Sequence, residues 1–97
     1  MERVFEWDAN KARINLKKHG VSFEDAALVF RDVLASSEPD RSTTIEERWK
    51  TIGLSGECML LVVVHTVRVE AGQEFIRIIS ARRVTSEERR RYEHGEI

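Results

Sequence analysis

Cysteine, proline and long apolar runs are scarce in this sequence. Its single cysteine cannot form an internal disulfide and cannot build a metal site by itself. The longest apolar run has seven residues, from Cys58 to Val64, which is far short of the ~20 that a membrane-spanning helix needs. The N-terminus is charged and lacks the continuous apolar segment of a secretory signal. We therefore expect a cytoplasmic protein that makes no contact with membranes.

No stretch rich in glycine, proline or serine divides the 97 residues, so we expect a single domain over residues 1–97. Neither sign of charge is in excess. The 16 Lys and Arg face 17 Asp and Glu, which gives a net charge of −1 and a pI near 6.3. A protein that coats nucleic acid in general is usually strongly basic, so this class is disfavoured, although a local basic patch is compatible with the count.

Motifs for metals and cofactors are missing as well. His19, His65 and His94 are scattered and lack the spacing of metal ligands. The sequence contains no P-loop, dinucleotide fingerprint or nucleophile elbow. We expect neither a metal nor a cofactor, which leaves basic side chains beside apolar segments as the candidates for chemistry.

The first half of the chain predicts a short strand over residues 4–7 and then two helices. Asp8 suits the N-cap of the first helix, which is expected to end at His19 before Gly20. The residues expected to share its apolar side are Ala9, Ala12 and Leu16, with His19 at the edge.

A second helix is expected to begin almost at once. Ser22 is its N-cap candidate, and Asp25 three residues later gives a weak capping box. The residues that fall on its core-facing side are Phe23, Ala26, Ala27 and Phe30. Residues 36–40 are rich in turn formers and are expected to be a turn.

The second half of the chain predicts strands and a last helix. The expected elements are a strand over 48–54, a strand over 58–68, a turn at Ala71 and Gly72, a strand over 74–82 and a helix capped by Thr85 and Glu88 that ends near Gly95. The strand over 58–68 is apolar on both faces, which is typical of a middle strand. This order predicts an α+β fold, with a short first strand, two N-terminal helices, an antiparallel sheet of three to four strands and a C-terminal helix.

Two arginines lie within the apolar strand over 74–82. Strict alternation places Phe75, Ile79 and Ala81 on the face of Arg77, and Ile76, Ile78 and Ser80 on the face of Arg82. A guanidinium keeps its charge, so each arginine needs an anionic partner. Two kinds of partner stay open: a carboxylate from Glu6, Asp8 or the last helix, or a phosphate group whose oxygens match the paired N–H donors.

His65 lies near the end of the middle strand. It faces either Ser80 and Arg82 or Arg77, because a shift of one residue in the hairpin register exchanges the faces. A histidine there can act as a general acid or base, and the alternative is a hydrogen-bonded core histidine. Lys17 and Lys18 complement the dipole at the end of the first helix, whereas His19 points toward the core edge.

Several of these segments resemble the BrnT family along nearly the whole chain. The residues that carry the resemblance are Phe5-Glu6-Trp7-Asp8, Lys11, Asn15, the run from Lys18 to Phe23, Ala26, Glu47-Arg48-Trp49, Ile52-Gly53, the run from Ile76 to Arg82, Glu88-Arg89 and Tyr92. The resemblance implies a toxin of a bacterial type II toxin–antitoxin system, with a RelE-like fold and a ribonuclease activity that stops translation. Its partner would be a BrnA-like ribbon-helix-helix antitoxin, and the toxin would meet operator DNA only through the antitoxin complex.

The resemblance also implies metal-free cleavage of RNA, for which fixed cations near the reacting phosphate give the largest help. The expected roles are phosphate stabilisation by Arg77 and Arg82, support by Lys18 or Arg48, proton transfer by His19 or His65, and base stacking or proton donation by Tyr92. The alternative is a non-catalytic protein-binding module of the same fold in which the arginines are structural. A DNA-binding accessory is a weaker alternative, because no helix combines a basic face with a base-reading pattern.

Overall fold

A computed structural model describes residues 1–42, 46–56 and 59–95 of the chain. The elements are β1 (Glu2–Glu6), α1 (Ala9–His19), α2 (Phe23–Leu28) with a 3₁₀ turn (Val29–Arg31), β2 (Ser36–Pro39), β3 (Trp49–Ser55), β4 (Met59–Glu70), β5 (Gln73–Arg83) and α3 (Ser86–Glu93). The α+β prediction is therefore confirmed at the level of helices and sheet. Cys58, the first residue of the predicted middle strand, lies outside the described residues. No helix within the described ranges is long and apolar enough to cross a membrane.

The sheet is mixed, and its strand order is β1-β5-β4-β3-β2. β1 runs parallel to β5, whereas β5, β4, β3 and β2 are antiparallel neighbours. The prediction of an antiparallel sheet of three to four strands holds for the four strands β2 to β5, but the complete sheet has five strands and is mixed, because β1 joins it in parallel. The extra strand is β2, which lies in the segment expected to be a turn. Pro39 is tolerated there because an edge strand has one row of backbone groups without a ladder partner.

The helix boundaries follow the expected capping chemistry. The Asp8 carboxylate accepts a hydrogen bond from the Lys11 N–H at 3.0 Å, and Gly20 ends α1 in the left-handed region with a φ of 70°. Ser22 Oγ accepts from the Asp25 N–H at 3.0 Å at the start of α2. Thr85 and Glu88 form a complete capping box at the start of α3. These three caps confirm the predicted helix starts.

The main core lies between the sheet and the pair α1–α2. Its fully buried members are Val21, Phe23, Ala26, Val29, Leu61, Val63, Ile76, Ile78 and Ala81. A smaller cluster lies on the opposite face of the sheet, where Ile52, Leu60 and Val62 contact Tyr92 of α3 and Val84 before it. We call the first side the helix face and the second side the α3 face.

One expectation about α1 is wrong. Leu16 was expected on the apolar side of the helix, but it is 52% exposed, whereas Asn15 is buried. Asn15 replaces it because its amide satisfies backbone groups of β5 and of the α1–α2 connection that an apolar side chain would leave unpaired.

A β-bulge in the β4–β5 hairpin sets the faces of β5. Val64 pairs with Ser80 and His65 pairs with Ile78, so Ile79 is an extra residue on β5. The bulge shifts the alternation by one position. Ala81 consequently joins Ile78 on the helix face, and the strict alternation expected from the sequence is wrong beyond residue 78.

Candidate functional site

The bulge brings Arg77, Ser80 and Arg82 onto the same face of β5. Arg77 pairs in register with Thr66, and Arg82 pairs with Val62, which belongs to the cluster beneath α3. Both arginines therefore lie on the α3 face, on either side of Ser80. Strict alternation placed Arg77 on the opposite face from Ser80 and Arg82, so the sequence did not indicate this juxtaposition.

Arg82 is held by a carboxylate of the last helix. Its Nη1 donates to Glu88 Oε1 at 2.8 Å and its Nη2 donates to Glu88 Oε2 at 2.9 Å. The hydrogen bonds from Arg82 are the largest cause that lowers the pKa of Glu88 to about 2, and the same bonds raise the pKa of Arg82. This is one of the ion pairs anticipated from the sequence, and it leaves the Arg82 side chain 40% exposed.

Arg77 is exposed and is not held in this way. The register places Glu6 of β1 beside it, but the Glu6 carboxylate forms its ion pair with Arg68 instead. Within the described residues, no ion pair to Arg77 is found. Its charge contributes to lowering the pKa of Asp8, for which the hydrogen bond from the Lys11 N–H is the largest cause. The Arg77 guanidinium is thus available to an external anion.

A groove lies where α1 crosses the edge of β5. β1 ends opposite Arg77, so the β5 edge is free of a strand neighbour from Ile78 onward. The groove has a volume of about 200 Å³ and is lined by Lys11, Ile14, Asn15, Lys18, His19, Ile79 and Ser80. Ser80 therefore belongs both to the groove and to the arginine row. Lys18 and His19 approach this edge from the helix face, whereas Arg77 and Arg82 lie on the α3 face.

Asn15 fixes the wall of this groove. Its Nδ2 donates to the Ala81 carbonyl at 2.9 Å and to the Val21 carbonyl at 3.0 Å, and its Oδ1 accepts from the Ala81 N–H at 3.1 Å. The side chain thus pairs with β5 much as a neighbouring strand would. Lys18 and His19 follow one turn later on α1, so this contact places them beside Ser80.

Arg48 and Lys50 lie farther along the α3 face, where Arg48 pairs with Glu46 at 2.9 Å and Lys50 pairs with Glu38 at 3.8 Å. Lys50 pairs with Val64, which in turn pairs with Ser80. The Asp40 N–H donates to the Arg48 carbonyl at 2.8 Å, so the β2–β3 pairing continues past Trp49 and alternation puts Arg48 on the face of Lys50. Both cations contribute to lowering the pKa of Asp40, after the hydrogen bonds from Ser42. Sequence reasoning missed Lys50, although its spacing from Arg48 was the signal for it.

His65 lies in the core and not in the site. It is 2% exposed on the helix face, and its Nε2 is 2.7 Å from Thr51 Oγ1. Its ring packs edge-on against Phe30 at a centroid distance of 4.9 Å. Burial lowers the pKa of His65, which keeps the imidazole neutral. Neither of the two expected registers is correct, since His65 pairs with Ile78 and faces away from all three site residues of β5.

Tyr92 attaches α3 to the rest of the molecule. Its hydroxyl donates to Asp32 Oδ2 at 2.5 Å, and Asp32 also accepts from the N–H groups of Leu54 and Leu34. Burial, followed by the hydrogen bond to Asp32, raises the pKa of Tyr92 to about 12. The phenol is therefore protonated at neutral pH and engaged with a carboxylate.

Comparison with known proteins identifies the family. The family model described as ribonuclease toxin, BrnT, of type II toxin–antitoxin system matches residues 7–88. The chain belongs to the BrnT family. It is thus a ribonuclease toxin of a type II toxin–antitoxin system, and such a toxin has an antitoxin partner.

The fold of this BrnT-family chain agrees with that of a solved structure. The 1.1 Å crystal structure of the Brucella abortus ribonuclease toxin BrnT is similar to it, with a TM-score of 0.62 and 22% sequence identity. The alignment covers 89% of this chain and 100% of the Brucella chain. No curated protein matches this sequence significantly.

Proposed function

We propose that this BrnT-family toxin cleaves RNA without a metal ion, at the junction of the groove and the arginine row around Ser80. The observation that carries this proposal is the bulge at Ile79, which aligns Arg77, Ser80 and Arg82 on one face. Cations fixed in advance on a rigid strand stabilise charge that develops on a phosphate in the transition state. β5 is such a strand, because β4 pairs with it from Gln73 to Arg83 and β1 pairs with it as far as Arg77.

The reaction needs the protein to remove a proton, to stabilise negative charge and to donate a proton. The 2′-hydroxyl of RNA loses a proton and attacks the adjacent phosphorus, the bond to the 5′-oxygen breaks, and this oxygen takes up a proton. In our proposal Arg77 and Arg82 stabilise the negative charge on the phosphate oxygens. His19 at the groove transfers protons, and Lys18 supports the charge beside it.

Neighbouring phosphates of the RNA would contact Arg48 and Lys50. These side chains lie on or beside β3, two strands from β5, and strands in a sheet are about 4.8 Å apart. A separation of roughly 10 Å suits a second phosphate contact along an extended single strand. The contacts of His65 and Tyr92 favour structural roles for both, so our proposal assigns them no chemistry.

We further propose that the toxin is a RelE-like single domain over residues 1–97 that acts in the cytoplasm and inhibits translation. Its antitoxin would be a BrnA-like ribbon-helix-helix protein, which would bring the complex to operator DNA. The family membership supports these points. The net charge of −1 supports only the last point, since a toxin with this charge would bind operator DNA weakly without its antitoxin.

The competing hypothesis is a protein-binding module with structural arginines. The ion pair between Arg82 and Glu88 favours it, because this arginine already has a carboxylate partner. Arg77 favours the ribonuclease site, because it is exposed and its neighbour Glu6 is paired elsewhere. Arg77 is therefore the residue to test first.

The experiment incubates the purified chain with a long ribosome-free RNA in excess EDTA. We expect the wild-type chain to cut the RNA and Arg77→Ala to lose at least about 100-fold in rate, as for a lost transition-state contact. Arg13→Ala is the matched control, because this exposed arginine lies on α1 outside the groove.

Full activity in Arg77→Ala would contradict the proposed site. Intact RNA with every variant would contradict self-sufficient, metal-independent cleavage. A parallel reaction with translating ribosomes would then separate a ribosome-dependent ribonuclease from a binding module.

A further inference from the structure

We infer that Glu88 is a positioning residue for the ribonuclease reaction, which it serves by orienting the Arg82 guanidinium. This inference rests on the proposed site around Ser80. It adds a carboxylate on α3 to a site that otherwise consists of α1 and sheet residues.

The geometry of the ion pair leaves one edge of the guanidinium free. Glu88 binds the edge formed by Nη1 and Nη2, and Nη1 also donates to the Arg83 carbonyl at 3.1 Å. Within the described residues, no acceptor is bonded to Nε of Arg82. The Nε–Nη2 edge therefore offers two parallel N–H donors, which is the arrangement that matches two phosphate oxygens.

The Glu88 carboxylate is itself held firmly. Its Oε1 accepts from the Thr85 N–H at 2.8 Å, and its own N–H donates to Thr85 Oγ1 at 3.2 Å. The side chain is only 18% exposed. A fixed carboxylate restricts the rotamers of Arg82, so the guanidinium does not have to be ordered when the substrate binds.

The opposite hypothesis is that Glu88 imitates the phosphate and blocks Arg82. The two hypotheses predict opposite changes in activity when the charge of Glu88 is removed. If Glu88 orients Arg82, removing its charge lowers kcat; if Glu88 blocks Arg82, removing its charge raises activity. The free Nε–Nη2 edge favours orientation, because a phosphate can bind there without displacing Glu88.

The test compares Glu88→Gln with Glu93→Gln. Glutamine at position 88 keeps the length of the side chain and can still complete a capping box, but it loses the charged two-point contact with Arg82. Glu93→Gln removes the same charge from an exposed position of α3 and leaves the Arg82–Glu88 pair in place. We expect Glu88→Gln to lower kcat about 10-fold with little change in KM, and Glu93→Gln to stay within about twofold of wild type. Melting curves confirm that each variant is folded at the assay temperature.

A double-mutant cycle shows whether Glu88 acts through Arg82. In the Arg82→Ala background, Glu88→Gln should cause no further loss, because the group that it orients is gone. A gain of activity in Glu88→Gln, an unchanged kcat, or an equal loss in both backgrounds would each overturn the inference. If Arg77→Ala and Arg82→Ala both keep full activity, the proposed site fails instead, and this inference fails with it.

Discussion

Asn15 attaches α1 to the free edge of β5. Its amide makes three hydrogen bonds to buried backbone groups, and a residue that leaves these groups unpaired costs roughly 1–3 kcal/mol for each. We expect Asn15→Ala to lower the free energy of unfolding by about 2–4 kcal/mol in urea denaturation. This loss is smaller than the sum of three unpaired groups, because water that enters the groove can bond some of them. Leu16→Ala is the control, since this exposed neighbour should cost less than about 0.5 kcal/mol. Equal losses in both variants would contradict the role of Asn15.

His65 makes stability depend on pH. Its pKa is lowered in the fold, so the neutral form is favoured there, whereas in the unfolded chain the imidazole takes up a proton near its ordinary pKa of 6.5. The unfolding free energy should therefore be constant above pH 7.5 and fall as the pH drops through 6.5. Urea denaturation at pH 7.5 and 5.5 measures the difference. His94→Gln, at an exposed position, should keep this dependence, and a wild-type chain of equal stability at both pH values would refute the prediction.

At the scale of elements, α3 depends on very few contacts. None of its described residues is buried, and it is attached mainly through Tyr92, through the Arg82–Glu88 pair and through its capping box. We expect Tyr92→Phe to reduce the unfolding free energy by about 1.5–3 kcal/mol, because it removes a hydrogen bond to a charged carboxylate while keeping the ring. Thermal and urea denaturation check this loss. Glu93→Gln, at an exposed position of the same helix, should change the free energy of unfolding very little. If Tyr92→Phe leaves this free energy unchanged, the aromatic ring alone attaches α3 and the prediction is wrong.

The elements that sequence reasoning predicted are those with local signals. Asp8, Ser22 and Thr85 start the three helices because each side chain caps its own first turn. Ala71 and Gly72 form the hairpin turn with φ angles of 50° and 78°, which the sequence pair indicated. Local chemistry is sufficient for these features.

The elements that were missed depend on contacts between distant residues. β2 is four residues long and becomes a strand only because β3 lies beside it. The bulge at Ile79 interrupts an apolar run that has no local mark at that point, so periodicity placed Ser80 and Arg82 on the opposite face from Arg77. The candidate site was therefore predicted in its residue types but not in its geometry.

At the scale of the whole molecule, the distribution of charge matters more than its sum. The net charge is −1, yet Arg48, Lys50, Arg77 and Arg82 share the α3 face of the sheet, and each of them except Arg77 has a carboxylate partner. If this face binds single-stranded RNA as we propose, the logarithm of the binding constant falls against the logarithm of the salt concentration with a slope of roughly −0.7 for each phosphate neutralised.

We expect RNA binding to weaken about 10- to 100-fold between 50 and 200 mM salt, as three to four contacts require. Fluorescence anisotropy with a labelled RNA under non-cleaving conditions measures the slope. Arg77→Ala should make the slope shallower by about 0.7, and Arg13→Ala should leave it unchanged. Binding that is insensitive to salt would contradict an electrostatic RNA surface.

The parallel pairing of β1 with β5 has a consequence for how the toxin is made. Glu2 pairs with Gln73 and Glu6 pairs with Arg77. β1 therefore stays unpaired until the ribosome has synthesised β5, 71 residues later. Translation proceeds at roughly 5–20 residues per second, so this wait lasts several seconds. The same late segment carries Arg77 and Arg82. A nascent chain that stalls before this segment therefore has neither a complete sheet nor the two arginines of the proposed site.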